Sequence, residues 1–182
     1  MATTSAPDRP FGERELIVLM ASLMSLQAFG IDSMLPALGL MADELDAAGN
    51  DRQYVISAYF LGSGIGAFFP GAFADRFGRR PVLFAGLAAY VLLSLACALV
   101  TDFETLLALR LVQGIACAGL SVVPTAIVRD RVGGDRMARM MSLIIMIFLA
   151  VPIFAPAAGQ LILLVADWRW IFGGMALMGV LV

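Results

Sequence analysis

Residues 71–80 read Gly71-Ala72-Phe73-Ala74-Asp75-Arg76-Phe77-Gly78-Arg79-Arg80, placing one acid and three arginines between two long and almost uncharged apolar runs. The flanking runs, Tyr54 to Ala74 and Pro81 to Val100, are each about 20 residues long, the length a helix needs to cross a hydrocarbon core of roughly 30 Å. The decapeptide therefore reads as the turn between two antiparallel membrane spans. Gly78 can take the positive φ that such a turn requires, and Pro81 suits the first turn of the following helix. Arg79 and Arg80 stand at the pole of that helix that prefers negative charge. Asp75 is expected to offset them, either by pairing with them or by capping the free amides.

Working outward, 61% of the 182 residues are hydrophobic, only 14% are charged, and the mean hydropathy is +0.93. Those values lie outside the range of water-soluble domains. The apolar residues come in blocks rather than in amphipathic alternation, which predicts an all-α integral membrane protein. Six spans are expected: 16–42, 54–74, 81–100, 105–128, 137–165 and 168–182. The last holds about 15 residues, short for a crossing, so the sixth helix reads as truncated. Residues 1–15 form a charged tail, with Asp8, Arg9, Glu13, Arg14 and Glu15, and do not resemble a cleavable signal. Residues 16–182 then make one six-helix bundle.

All twelve positive charges are arginines. Arg9, Arg14, Arg76, Arg79, Arg80, Arg129, Arg131, Arg136 and Arg139 fall on one side of the expected spans, against Arg52 and Arg169 on the other. The positive-inside rule thus places the N-terminus in the cytoplasm, the membrane being read as a bacterial inner membrane. The net charge of −2 is segregated across the bilayer, and no basic strip suggests nucleic acid. With no histidine, Ser/His catalysis and ordinary histidine-ligated metal sites are excluded. Cys97 and Cys117 lie inside spans and read as small apolar residues. No enzyme activity, cofactor or metal is expected. The string Gly62-Ser63-Gly64-Ile65-Gly66-Ala67 imitates a dinucleotide fingerprint, yet it lies within an apolar helix and not between a strand and a helix N-terminus. Gly62, Gly66 and, in span four, Gly114 instead clear a face for close helix contact.

Asp32 and Arg110 are the ionisable residues left inside the apolar spans, and each is costly there unless paired or open to water. At about 1.5 Å per residue, Asp32 lies roughly 15 Å and Arg110 roughly 8 Å below the outer ends of their spans. In one reading both face a shared cavity, where the guanidinium favours the ionised carboxylate. In the other, Asp32 sits in an irregular interfacial segment and Arg110 snorkels outward. Pro36 should break the helix just beyond Asp32. Pro152 and Pro156, one turn apart, should bend span five, as a gating element or as a static kink. Trp168, Arg169 and Trp170 read as an anchor at the outer interface.

The decapeptide resembles the loop signature of the major facilitator superfamily. In that family the positions of Gly71, Asp75, Arg76, Gly78, Arg79 and Arg80 form a cytoplasmic latch between two halves of a transporter. Arg110-Leu111-Val112-Gln113-Gly114 is similar to the fourth-helix motif, whose arginine is linked to proton coupling. Met137 to Gln160 resembles the fifth-helix antiporter motif, with Ala155-Pro156-Ala157-Ala158-Gly159-Gln160 departing from its usual GPxxGG ending. Gly30-Ile31-Asp32-Ser33-Met34-Leu35-Pro36-Ala37-Leu38 and Ala126-Ile127-Val128-Arg129-Asp130 look like segments of Bcr/CflA-type drug-resistance transporters. The resemblance implies the N-terminal six-helix bundle of a twelve-span fold. It implies a small drug-like substrate exchanged for protons by alternating access, with Asp32 as the protonatable acid and Arg110 as its tuner. The partners it implies are the lipid bilayer and a second six-span bundle, supplied by the same chain or by another copy. The alternatives are an incomplete bundle with no transport of its own, acting as a membrane-embedded structural or assembly partner, and a transporter of another small solute on the same scaffold.

Overall fold

A computed structural model describes residues 12–48 and 50–182, which are mainly helical with no strand among them. The tail expected over 1–15 falls largely outside the described residues, and its last three residues already belong to a helix. That helix, α1, spans Glu13–Asp32. It opens with the Glu15 carboxylate accepting a hydrogen bond from the Gly12 amide at 3.1 Å, and Glu13 and Glu15 put negative charge at the helix's positive pole.

The first expected span is α1, a 3₁₀ turn at Leu35–Ala37, and α2 at Leu38–Glu44. Pro36 explains the interruption. It lacks the amide that would reach the Asp32 carbonyl four residues earlier, and its ring crowds that oxygen. The second expected span is not one helix but two, α3 at Tyr54–Gly66 and α4 at Pro70–Phe77, bent by 46°. Pro70 stands in the same relation to Gly66, whose carbonyl instead accepts from the Phe69 amide at 3.2 Å.

Helix α5 covers Arg79–Ala98. Asp102 then caps α6, Phe103–Cys117, accepting from the Thr105 amide at 2.8 Å, and this hydrogen bond holds the Asp102 carboxyl below its ordinary pKa. Helix α7, Gly119–Arg131, follows after a break at Ala118 and contains Pro124. Helix α8 runs Gly134–Leu163, and α9 covers Arg169–Leu181. Pro152 and Pro156 leave α8 an unbroken helix of 30 residues. At 1.5 Å per residue it is about 45 Å long, more than a crossing needs.

By length and composition four helical segments can cross a membrane, and the bent α3–α4 pair makes a fifth. The 13 residues of α9 give about 20 Å, less than a full crossing. The most extensive packing joins α3 to α6, α5 to α9, and α1 to α8. Around the buried core the outer surface is apolar: Phe84, Phe154 and Leu164 are each about 70% exposed. A surface of this kind is matched to lipid rather than to water.

The end opposite the Asp75 turn is tied by a polar knot. Glu44 accepts from Trp168 Nε1 at 2.6 Å and pairs with Arg169, while Arg169 also reaches Asp167 at 3.1 Å and the Val100 carbonyl at 3.2 Å. Trp168 is fully buried there, so it is a core residue; Trp170 is exposed, as an interfacial anchor would be. The aromatic–amide handle of Trp168, with Glu44 within reach, is what permits its burial.

Candidate functional site

Helix α6 buries Leu106, Arg110, Gln113, Gly114 and Cys117, a stripe of helical period aimed at the bundle interior. On the facing helix α3 the buried residues are Val55, Tyr59, Gly62 and Gly66. The contact needs glycine: a Cβ on Gly62 would stand 2.1 Å from the Leu111 carbonyl oxygen, one on Gly66 2.4 Å from that of Ile115, and one on Gly114 2.2 Å from that of Tyr59. The expected close approach of spans two and four is therefore present, backbone against backbone.

That approach seals Arg110 in the interior, where its side chain is wholly buried. Outward snorkelling does not occur. A guanidinium stays charged under all ordinary conditions, so it must be solvated by protein. Nη1 donates to Gln113 Oε1 at 2.6 Å; Nη2 donates to the Gly30 carbonyl at 2.7 Å and lies 2.8 Å from Met34 Sδ. The Tyr59 and Phe172 rings flank the cation, with centroids 4.9 and 5.3 Å away. Gln113 in turn donates to Ser94 Oγ at 2.9 Å, and Ser94 to the Tyr90 carbonyl at 2.7 Å. Among the described residues no carboxylate pairs with Arg110.

Asp32 is the last residue of α1 and is partly exposed. Arg110 grips Gly30 and Met34, two residues before it and two after. Met34 lies in the turn that follows α1, so Arg110 holds the chain on both sides of the helix end at Asp32. Among the described residues the acid and the guanidinium form no ion pair. Their link is the backbone between Gly30 and Met34.

Helix α8 closes on the same break. A Cβ on Gly159 would come within 1.8 Å of the Ser33 carbonyl oxygen and 3.3 Å of Pro36. Pro156 is half-buried and Pro152 exposed on the same helix. The structure thus brings Arg110, Gln113 and Gly159 to the chain on either side of Asp32, while Gly62, Gly66 and Gly114 supply the clearance between α3 and α6. Sequence reading missed Ser94, Tyr59, Phe172 and the Gln27–Ser63 pair, whose amide and hydroxyl are 2.6 Å apart between α1 and α3. Hydroxyl and amide groups inside apolar runs are the signal that would have found Gln27, Ser63 and Ser94. Tyr59 and Phe172 carry none beyond their helical register.

The decapeptide is the second cluster. Gly78 has φ +94° and ends α4, as a turn reserved for glycine. Arg79 Nη2 lies 3.1 Å from the Asp75 carboxylate and 2.9 Å from that of Asp130 on α7. Asp75 does not cap α5 and is not paired with Arg80, which its place four residues before Arg79 explains. Asp130 is the partner missing from the sequence reading. Gly71 has open space where a Cβ would stand, beside Asp75, Ser121 and Arg129. Arg76 stacks over Phe77 at 5.3 Å. Cys97 and Cys117 are free and buried.

A family model described as Major Facilitator Superfamily matches residues 18–182. The chain is 38% identical over 161 residues to a Multidrug resistance protein MdtL from Klebsiella pneumoniae, which covers 88% of this chain and 41% of the relative. It is 34% identical over 166 residues to proteins of the same name from Escherichia coli and Shigella boydii, covering 91% of this chain and 42% of each. The chain therefore spans about two fifths of the length of these relatives.

Proposed function

The chain belongs to the major facilitator superfamily, and from that premise we propose that the complete protein exports small drug-like molecules across the bacterial inner membrane in exchange for protons, by alternating access. The relatives named as multidrug resistance proteins support the substrate class. The observation that carries the coupling is the broken end of α1: Asp32 terminates the helix, and Arg110 holds the carbonyl of Gly30 just before it.

Asp32 is the proton-carrying acid in this reading. Protonation removes a charge whose burial is costly, so a proton and a cationic substrate compete for the same carboxylate. Arg110 acts through the backbone: when the charge on Asp32 changes, the 30–34 segment is free to change its fit against Arg110 on α6 and Gly159 on α8. The Asp75–Arg79–Asp130 cluster serves as the cytoplasmic half of a latch, closing against a second six-span bundle, and the N-terminus faces the cytoplasm. Neither Arg79 pair is deeply buried, and exposed ion pairs contribute only about 0–1 kcal/mol. A latch of that strength can open on the timescale of transport.

The test is dye transport by protein expressed from its complete coding sequence and reconstituted in liposomes. An imposed proton gradient should drive accumulation of a lipophilic cationic dye, and an ionophore that collapses the gradient should end it. A stable oligomer that moves no dye under any gradient would favour the alternative, a membrane-embedded assembly partner.

A further inference from the structure

Beyond the 46° bend at residues 67–69, α4 packs on α5 and α7, and a groove of about 530 Å³ lies between α4, α5 and the α6–α7 junction, on the face of α4 turned from the Asp75 cluster. One wall is an aromatic ladder on α4: Phe69, Phe73 and Phe77, each about half exposed, with successive ring centroids 6.4 and 6.2 Å apart. Gly66, Gly86 and Gly119 form a low floor, and the lining is almost wholly apolar. The two faces of α4 are chemically opposite. Gly71 and Asp75 lie two residues out of step with Phe73 and Phe77, so they project to the other side of the helix.

Arg76 does not line the groove but adjoins its Phe77 end. Its guanidinium lies over the Phe77 ring, and among the described residues no carboxylate pairs with it. The aromatic ladder from Phe69 to Phe77 runs eight residues along α4, about 12 Å, most of the depth of one leaflet of a ~30 Å hydrocarbon core. A trench of that depth, apolar along its length and with a cation beside its Phe77 end, has the charge and polarity pattern of a phospholipid. Its volume falls within the ~300–1,000 Å³ of cavities that enclose a small molecule.

We propose that this groove binds an acyl chain of an anionic phospholipid from the leaflet bordering the Gly78 turn, with the lipid phosphate on Arg76. Bound there, the lipid braces the α3–α4 bend against α5 and neutralises a charge beside the Asp75–Arg79–Asp130 cluster.

The experiment is native mass spectrometry of the complete protein in mild detergent, offered equal amounts of phosphatidylglycerol and phosphatidylcholine with identical acyl chains. The wild type should retain phosphatidylglycerol in preference. Arg76→Gln should reduce that retention about fivefold, to the phosphatidylcholine level, which is the worth of one cationic side chain near an anionic surface; Arg76→Lys should restore most of it. Ala85→Trp, which fills the groove from an exposed position on α5, should displace both lipids, and Ala85→Leu serves if the larger residue prevents folding. Equal retention of the two lipids by the wild type, or retention unchanged in both the Arg76→Gln and the Ala85 variants, would overturn the proposal. So would displacement of phosphatidylglycerol by soluble glycerophosphate at equal concentration, which would mark a headgroup site without an acyl-chain site, or its displacement by a transported dye, which would assign the groove to substrate.

Discussion

Arg110 carries its charge at the centre of the bundle without a carboxylate, held by an amide oxygen, a backbone carbonyl, a thioether and two aromatic faces. Solvation by neutral groups has a consequence for mutation. Gln113→Leu would leave Nη1 of Arg110 without a partner in a dry interior and take from Ser94 Oγ the hydrogen bond it accepts, while Ser94 keeps its own donation to the Tyr90 carbonyl; an orphaned buried donor costs about 1–3 kcal/mol, more where it is charged. Thermal unfolding in detergent should show a lowered midpoint for this variant, whereas Val112→Leu, at an exposed position on the same helix, should leave it unchanged. At this scale the sequence reading was uneven. Gly78 declared its turn because only glycine takes φ +94° without strain, and Arg110 declared itself by being charged in an apolar run. What it could not give was the surroundings of each side chain: Arg110 turned inward, and Asp32 is partly exposed and unpaired with it among the described residues.

At the scale of elements, two of the helix breaks follow from prolines read four residues back, while the one at Ala118 does not. Pro36 accounts for the end of α1 at Asp32 and Pro70 for the end of α3 at Gly66, so both were legible in principle. Pro70 escaped notice because apolar residues run unbroken across it, and hydropathy reports burial in lipid but not backbone continuity. The reverse holds for α8, where two prolines leave the helix whole; neighbouring helices and local adjustment make proline tolerable inside membrane spans. The contact between α8 and the α1 break rests on one absent side chain. Gly159→Ala would press a methyl group into the Ser33 carbonyl, and overpacking of this sort costs about 1–3 kcal/mol. Such a variant is expected to lower the unfolding midpoint and slow proton-driven transport together. Gly64→Ala, in open space on α3, should do neither.

At the scale of the whole molecule, composition alone identified a membrane-embedded helical bundle, and motif order identified its family, because both are properties of the chain as a line. Orientation is a further step. The two native cysteines are buried, so single cysteines introduced at Arg80 and at Asp51 can be labelled against a quiet background. With the N-terminus in the cytoplasm, a membrane-impermeant maleimide added to intact cells should modify the Asp51 site and spare the Arg80 site, with both reacting in permeabilised cells; the opposite pattern would invert the topology. The central claim is that Asp32 carries the coupled proton while Arg110 acts through the helix end between them. Its most direct measurement compares two fluxes in liposomes containing the complete protein, for wild type and Asp32→Asn: dye accumulation driven by a pH gradient, and dye exchange at equal pH. Asp32→Asn should lose gradient-driven accumulation and keep exchange, since the scaffold still alternates without a proton to carry; accumulation by Asp32→Asn at the wild-type rate would contradict the account.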